Sequence, residues 1–285
     1  MIRVVTDSTS DLPPQVARDL GIGVVPVITE IDGVTYRDGV DLQREQFFAE
    51  LPAYRDCKTA APPAADFIAV YEQQIAQGAT EILSIHLGRR YSALCDSALV
   101  AAQEMTARGA PVRVIDSGTL TICLGWMAQT AAEMAQQGAD APGILKAIDA
   151  MRPRGVIYAM ADTLKHLRRS GRVSALTAGI GDLLQIKLLV EVSNGEINQL
   201  DRVRARGRGI QRLIDAAHQL ARQRQGVERL AVLHSGGDVM DDVRRVQDSM
   251  AGLLPVAEQE MMLITPVIGA HFGPRGVGVA LLTRV

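Results

Sequence analysis

The sequence predicts an α/β protein of two domains, with a parallel sheet in an N-terminal domain at residues 1–153 and a mixed or antiparallel sheet in a C-terminal α+β domain at residues 154–285. Three observations support this prediction. The length of 285 residues is about twice that of a usual domain. In the first half, short apolar runs alternate with helical stretches, which is typical of a parallel sheet covered by helices. In the second half, a hairpin signal stands among helical stretches, which favours an α+β arrangement.

The first half begins with alternating strands and helices. Strands are predicted at the β-like runs 2–6, 23–29, 80–87 and 112–115. A helix is predicted to begin near Pro13 and Pro14, because the missing N–H of a proline does no harm in a first turn. Two further helices are predicted over residues 120–137 and 142–151. The prolines and arginines of residues 152–155 break the helical pattern, so we place the domain boundary there.

The second half contains a predicted hairpin and an amphipathic helix. Strands are predicted over residues 156–160, 186–192, 196–200, 230–233 and 277–282. Asn194-Gly195 suits the positive φ angles of a tight turn and therefore joins the second and third of these strands. Gly171 is positioned to cap a helix over residues 163–170. Another helix is predicted from apolar residues at helical spacing, namely Ile210, Leu213, Ile214, Ala217, Leu220 and Ala221.

Charge and cysteine content exclude several classes of protein. A formal net charge of −2 gives no general electrostatic reason to bind nucleic acid or an anionic membrane. The three cysteines cannot form a fully paired disulfide set and show no CxxC spacing, so we expect reduced thiols. The N-terminus turns polar before a signal-peptide core develops, and no apolar run approaches the ~18 residues that span a bilayer. We therefore expect a cytoplasmic protein with no integral membrane segment.

The absence of nucleotide and metal motifs narrows the chemistry. The sequence contains no P-loop, no complete GxGxxG, no HExxH and no GxSxG, which disfavours an ATPase, a Rossmann dehydrogenase, a zincin and an α/β hydrolase. The five histidines show no metal-ligand spacing, so no metal site is predicted. Aromatic residues are scarce while aliphatic residues abound, so we expect any ligand pocket to be aliphatic.

Several polar residues stand where a ligand site would be built. A run of small polar side chains at residues 6–11 follows a strand, where it either caps a helix or faces a ligand. Thr59 and Ser92 are single hydroxyls beside small apolar residues. Glycines surround His271 in residues 268–276, which predicts a loop whose backbone can approach a ligand closely.

Arginines cluster in two places. Arg168 and Arg169 stand at a predicted helix C-terminus, where the macrodipole stabilises each cation by about 0.5 kcal/mol, but Arg172 lies beyond that helix. Four arginines then alternate, and an extended chain would place them on one face: Arg202, Arg204, Arg206 and Arg208. Such a face is either a solvated edge or a docking surface for an acidic partner or a phosphate.

Five segments, in order over nearly the whole chain, resemble the DegV family of bacterial fatty-acid-binding proteins. They are VTDSTSDLP, YRDGVDL, VIDSGTLTICLG, LKHLRRSGRVS and GAHFGPRGVGVA. The chain departs from the family where TSQP is usual, at Thr59-Ala60-Ala61-Pro62, and where GPG is usual, at Gly273-Pro274-Arg275.

The resemblance implies a long-chain fatty acid held between the two domains. It implies that Thr59 and Ser92 bind the carboxylate and that His271 and Arg172 lie near the head group, where they assist phosphoryl transfer. It further implies that the chain is the substrate-carrying subunit of a fatty acid kinase, a partner that holds the ATP and Mg²⁺ and forms an acyl phosphate for phospholipid synthesis. Arg204 falls in the basic segment that docks this partner.

Two other readings of the residues stay open. The chain could be an enzyme by itself, with His271 acting as base or nucleophile on a small carbonyl substrate. It could also be a lipid-sensing regulator that signals through its arginine-rich face.

Overall fold

The computed structural model describes residues 1–170 and 186–284. Elements are numbered over these residues. The strands are β1 Ile2–Asp7, β2 Gly23–Val25, β3 Ile28–Ile31, β4 Val34–Arg37, β5 Cys57–Ala60, β6 Glu81–His86, β7 Val112–Asp116, β8 Gly155–Ala161, β9 Lys187–Ser193, β10 Glu196–Val203, β11 Val227–His234, β12 Glu260–Leu263 and β13 Val277–Thr283. The α-helices are α1 Pro14–Leu20, α2 Arg44–Glu50, α3 Ala64–Ala76, α4 Leu94–Ala107, α5 Thr121–Gln136, α6 Ala141–Met151, α7 Leu164–Ser170, α8 Arg206–Gln223, α9 Met240–Ser249 and α10 Pro266–Phe272.

The predicted parallel sheet is present in the first half, in the order β2-β1-β6-β7 with all three pairings parallel. Helix α5 packs against β1 and also contacts β8 and β13. This helix is apolar on nearly all sides because it lies between the two halves of the chain. One of its residues, Trp126, is fully buried and donates its indole N–H to Glu260, on β12 of the second half, at 2.7 Å.

The strand predicted over residues 23–29 is wrong. The structure divides it into β2, which joins the parallel sheet, and β3, which forms a separate antiparallel sheet in the order β4-β3-β5. Pro26 lies at the break, and a proline has no N–H to continue a strand ladder. The second sheet matters for the site because β5 carries Thr59.

The second half contains a mixed six-stranded sheet in the order β10-β9-β8-β13-β11-β12, as predicted. Only the β11–β12 pair among these strands is parallel. The predicted hairpin is confirmed as β9 and β10, with φ angles of 50° at Asn194 and 77° at Gly195. Side chains alternate across β8: Tyr158 and Met160 pack toward α8, while Ile157 and Ala159 face a cavity.

The five predicted helices are confirmed as α1, α5, α6, α7 and α8. Gly171, predicted as the cap of α7, lies outside the described residues. Residues Arg152–Arg154 form a short 3-10 turn between α6 and β8, and the domain boundary at residues 153 and 154 stays a prediction. In the part of the chain that the structure describes, no helix has the length and apolar character to cross a membrane.

The four alternating arginines do not share an extended face, because the chain is not extended over all of them. Arg202 lies in β10, one residue before its end, whereas Arg206 and Arg208 already belong to α8, where the spacing is helical. Arg206 is half-buried and forms ion pairs with Asp162 and Asp242 at 2.8 and 2.6 Å. This side chain therefore stabilises the junction between strand and helix.

The loop predicted around His271 is largely a helix. Thr265 caps α10 by accepting the N–H of Ile268 at 3.5 Å, and a proline follows it at the first helical position. Glycine is tolerated inside this helix because Gly269 packs directly against the Phe48 ring. The helix ends at Phe272, and Gly273 follows it at the C-cap with a φ angle of 84°.

Candidate functional site

A cavity of about 250 Å³ lies between the carboxyl ends of the parallel strands and the six-stranded sheet. Loops after β2, β6 and β7 form one wall, and side chains of β8, β9, β10, β11 and β13 form the other. Helix α10 and strand β5 complete the lining. This is where an open parallel sheet usually binds its ligand, because the strand ends and their loops leave a crevice there.

The lining is mainly aliphatic, as the composition predicts. Its apolar residues include Val27, Leu87, Leu94, Ile157, Leu167, Val190, Val192, Ile197, Leu233, Ile264, Val267 and Ile268. Such a surface favours an apolar ligand and penalises an unpaired charge.

Thr59 and His271 meet in this lining. The Oγ1 of Thr59 lies 2.7 Å from the Nε2 of His271, which is hydrogen-bonding distance, although 211 residues separate them along the chain. Strand β5 holds the threonine by pairing Thr59 with Thr29 of β3. The histidine occupies the last turn of α10. Both side chains are half-buried, so they form a polar pair at the edge of an apolar cavity.

Helix α10 is fixed in place by a buried carboxylate from the first half of the chain. Asp11 Oδ1 accepts the N–H of Thr265, at the cap of α10, at 2.8 Å, and it forms an ion pair with Arg44 at 3.0 Å. Burial raises the pKa of Asp11 to about 7 against the opposing effect of the Arg44 charge. Arg44 also donates to the carbonyl of Leu263. The position of His271 therefore depends on contacts made by Asp11.

Ser92 lines the same cavity, and its Oγ accepts the N–H of Leu94 at 3.3 Å at the start of α4. The structure thus brings Thr59, Ser92 and His271 to one cavity. Arg172 lies outside the described residues. Arg204 is exposed between β10 and α8 and stands apart from the cavity lining.

The two departures from the DegV family pattern have different places in the structure. Ala60 and Ala61 line the cavity, where the family usually has a hydroxyl and an amide. Arg275, at the second departure, forms an ion pair with Asp162, with 3.3 Å between the arginine Nε and the carboxylate.

Four polar lining residues were not identified from the sequence: Tyr91, Thr121, His234 and Ser235. Ser235 Oγ accepts the N–H of Gly276 at 2.6 Å, which fixes the start of β13. Burial lowers the pKa of His234, so this ring favours its neutral form. The only sequence signal for these residues is their position at or after the end of a strand.

The polar run at residues 6–11 builds a buried network rather than the cavity. Asp7 Oδ2 accepts from His86 Nδ1 and from the N–H of Leu87, each at 3.0 Å. Ser84 Oγ lies 2.6 Å from His86 Nε2 and 2.8 Å from the Tyr71 hydroxyl.

Aspartate, histidine and serine are the residue types of a hydrolytic triad. Asp7, Ser84 and His86 are all 0% exposed, so no substrate reaches them and the network is structural.

Within the described ranges, no group of three or more histidine, cysteine, aspartate or glutamate side chains stands close enough to hold a metal ion. What the site offers chemically is an aliphatic cavity with hydroxyls and one polar pair, Thr59 and His271.

Comparison with known proteins agrees with the fold and with the resemblance. Residues 1–284 match a family model described as uncharacterised proteins of the DegV family. A DegV domain-containing protein of Deinococcus radiodurans is 33% identical over 281 residues and is matched over 98% of each chain. One from Streptomyces coelicolor is 31% identical over 290 residues, with 99% of each chain covered.

Solved structures show the same architecture. A DegV family protein from Thermus thermophilus, described by its fatty acid binding, has a TM-score of 0.88 and 28% identity over 99% of each chain. DegV from Bacillus subtilis, described as a fatty acid binding protein, has a TM-score of 0.84 and 26% identity over 99% of each chain. The chain described here belongs to the DegV family.

Proposed function

We propose that this chain binds a long-chain fatty acid in the cavity between its parallel sheet and its six-stranded sheet and holds the carboxylate near Thr59, Ser92 and His271. The observation that carries this proposal is the polar pair of Thr59 and His271 at the edge of an otherwise aliphatic cavity. The relatives from Thermus thermophilus and Bacillus subtilis, both described as fatty-acid-binding proteins, support the same ligand class.

The energetics of such a ligand suit the lining. Each methylene removed from water contributes about 0.8 kcal/mol, which favours a long chain over a short one. The carboxylate needs donors, because leaving it unpaired in an apolar cavity costs several kcal/mol. With its proton on Nε2, His271 donates to Thr59 Oγ1, and the threonine hydroxyl proton is then free for a carboxylate oxygen. Ser92 supplies a second hydroxyl.

The first test asks whether the purified chain carries a lipid. We expect mass spectrometry of an organic extract to find a fatty acid in near-stoichiometric amount, since a dry aliphatic cavity releases such a chain slowly. If the extract is empty and the protein also fails to take up added fatty acid, the proposal is wrong.

The bound carboxylate would then be presented to a separate ATP-dependent kinase subunit, which forms the acyl phosphate. The sequence supports this division of work, because it contains no P-loop of its own. In this scheme His271 and Arg172 assist the transfer by orienting the head group and balancing its charge, and Arg204 contributes to docking. Arg204 is exposed, as a docking residue must be.

The second test separates binding from transfer. Changing Thr59→Val together with Ser92→Ala should weaken fatty-acid affinity roughly tenfold or more, because two neutral donors are lost. His271→Ala or Arg172→Ala should instead reduce phosphorylation by an added fatty acid kinase subunit more than it reduces lipid uptake. Titration with a fluorescent fatty acid and formation of acyl phosphate measure the two steps.

The outcomes of this experiment also distinguish the other readings. Unchanged affinity in the double variant would exclude Thr59 and Ser92 from carboxylate binding. Turnover of a small carbonyl substrate by the chain alone would favour an independent enzyme using His271. Lipid binding without phosphorylation by a kinase subunit would favour a regulatory protein.

A further inference from the structure

Thr121 lines the cavity and combines a strained backbone with a buried hydroxyl. Its φ angle is 50°, in the left-handed region that a β-branched residue rarely adopts. Only 3% of the residue is exposed, and its Oγ1 has no hydrogen-bond partner among the described residues. Strain and an unpaired buried polar atom each destabilise the protein, and a ligand that pairs with the hydroxyl would offset part of this cost.

Thr121 is also the first residue of α5, a helix of 16 residues. The preceding residue, Leu120, stands at the N-cap and has no side-chain oxygen to accept from the first turn. Both residues line the cavity. The free N–H groups of this turn and the partial positive charge of the helix N-terminus therefore favour an oxygen atom of a ligand beside Thr121.

A second unpaired hydroxyl belongs to another residue that lines this cavity. The OH of Tyr91, another lining residue, is buried and has no partner in the described part of the chain. The loop that carries it is tied to the loop before α5, because the N–H of Gly88 donates to the carbonyl of Thr119 at 2.9 Å. The N–H of Tyr91 in turn donates to Gly88. Two unpaired hydroxyls thus come from adjoining loops.

An unsubstituted acyl chain does not explain this arrangement. Methylene groups packed against Thr121 would exclude water from its Oγ1 and offer no hydrogen bond in return. In the proposed function the carboxylate already has two hydroxyl donors, Thr59 on β5 and Ser92 just before α4. Neither of them is a partner of the Thr121 or Tyr91 hydroxyl. A second oxygen on the ligand would satisfy the hydroxyls.

We propose that the loop cluster of Thr121 and Tyr91 binds a hydroxyl group carried along the acyl chain, so that the preferred ligand class is hydroxylated long-chain fatty acids. This inference rests on the proposed function. Thr121 accepts from or donates to the ligand hydroxyl, and the first-turn N–H groups of α5 donate to its oxygen.

The test compares octadecanoic acid with a series of hydroxyoctadecanoic acids that differ in the position of the hydroxyl group, using calorimetric titration of the lipid-free protein. We expect at least one positional isomer to bind roughly tenfold more tightly than octadecanoic acid. Thr121→Val keeps the shape and β-branching of the side chain and removes the hydroxyl, so it should abolish that preference. Thr121→Ser should retain it, and Tyr91→Phe should reduce it.

Thr6→Val is the matched control, because Thr6 also has a buried hydroxyl with no partner in the described residues but lies on β1, outside the cavity lining. This variant should leave the preference unchanged. If octadecanoic acid binds and no isomer is preferred, or if Thr121→Val weakens every ligand equally, this inference is overturned while fatty-acid binding stands. If none of the ligands binds, the proposed function itself is wrong.

Discussion

Ala159→Phe is expected to abolish fatty-acid uptake while leaving the chain folded. Ala159 lies on β8 and points into the cavity, between Val190 of β9 and Gly278 of β13 in the sheet register. A phenyl ring at this position fills space that the ligand needs, and the ring can enter the cavity because Ala159 lines it and is only half-buried. We expect affinity for octadecanoic acid to fall by roughly 100-fold or more, since several methylenes lose their place.

The matched control is Ala251→Phe, which adds the same ring at an exposed position after α9. Both variants should unfold within a few degrees of the original protein in a thermal scan. Wild-type affinity in the Ala159→Phe variant, with folding intact, would show that the acyl chain does not occupy this cavity.

Asp7→Ala is expected to lower the free energy of unfolding by about 3–5 kcal/mol, the largest effect on stability that we predict. Asp7 is 0% exposed and accepts hydrogen bonds from the backbone N–H groups of Thr9 and Leu87 and from His86. The hydroxyl of Thr9 donates to the same carboxylate. Removing the acceptor leaves all of these donors buried without a partner, and each unpaired donor destabilises the folded state.

Denaturation with urea measures this loss. Asp41→Ala provides the control, because Asp41 is exposed and its ion pair with Arg37 lies on the surface. Loss of that pair should cost less than about 1 kcal/mol. Equal effects of the two substitutions would contradict the structural role assigned to Asp7.

The regular elements could be predicted wherever a local pattern decides them. The hairpin at Asn194 and Gly195 and the amphipathic helix α8 follow from turn chemistry and helical spacing. The run at 23–29 could not be divided correctly, because its residues favour a strand throughout and only Pro26 marks the change of sheet. The helix around His271 could not be predicted, because Gly269 and Gly273 favour a loop and the N-cap Thr265 stands six residues before the histidine.

The site could be predicted in part, and only through the resemblance to a family. No spacing rule links Thr59 to His271, since their contact depends on how β5 and α10 pack together. Thr121 gave no signal because its importance comes from a left-handed φ angle and a missing partner among the described residues, neither of which a sequence reveals. The arrangement of the alternating arginines could not be predicted, because strand β10 ends among them and helix α8 begins.

The reactivity of the three buried cysteine thiols reports local opening of the structure around them. Cys57, Cys95 and Cys123 lie on β5, α4 and α5, and each is at most 4% exposed. Burial raises the pKa of Cys57 to about 11 and those of Cys95 and Cys123 to about 12, so the reactive thiolate is scarce in the folded state. An alkylating reagent therefore modifies these positions only as fast as the surrounding structure opens. The relative labelling of Cys57 and Cys123 distinguishes opening of the small sheet beside Thr59 from opening of the central helix.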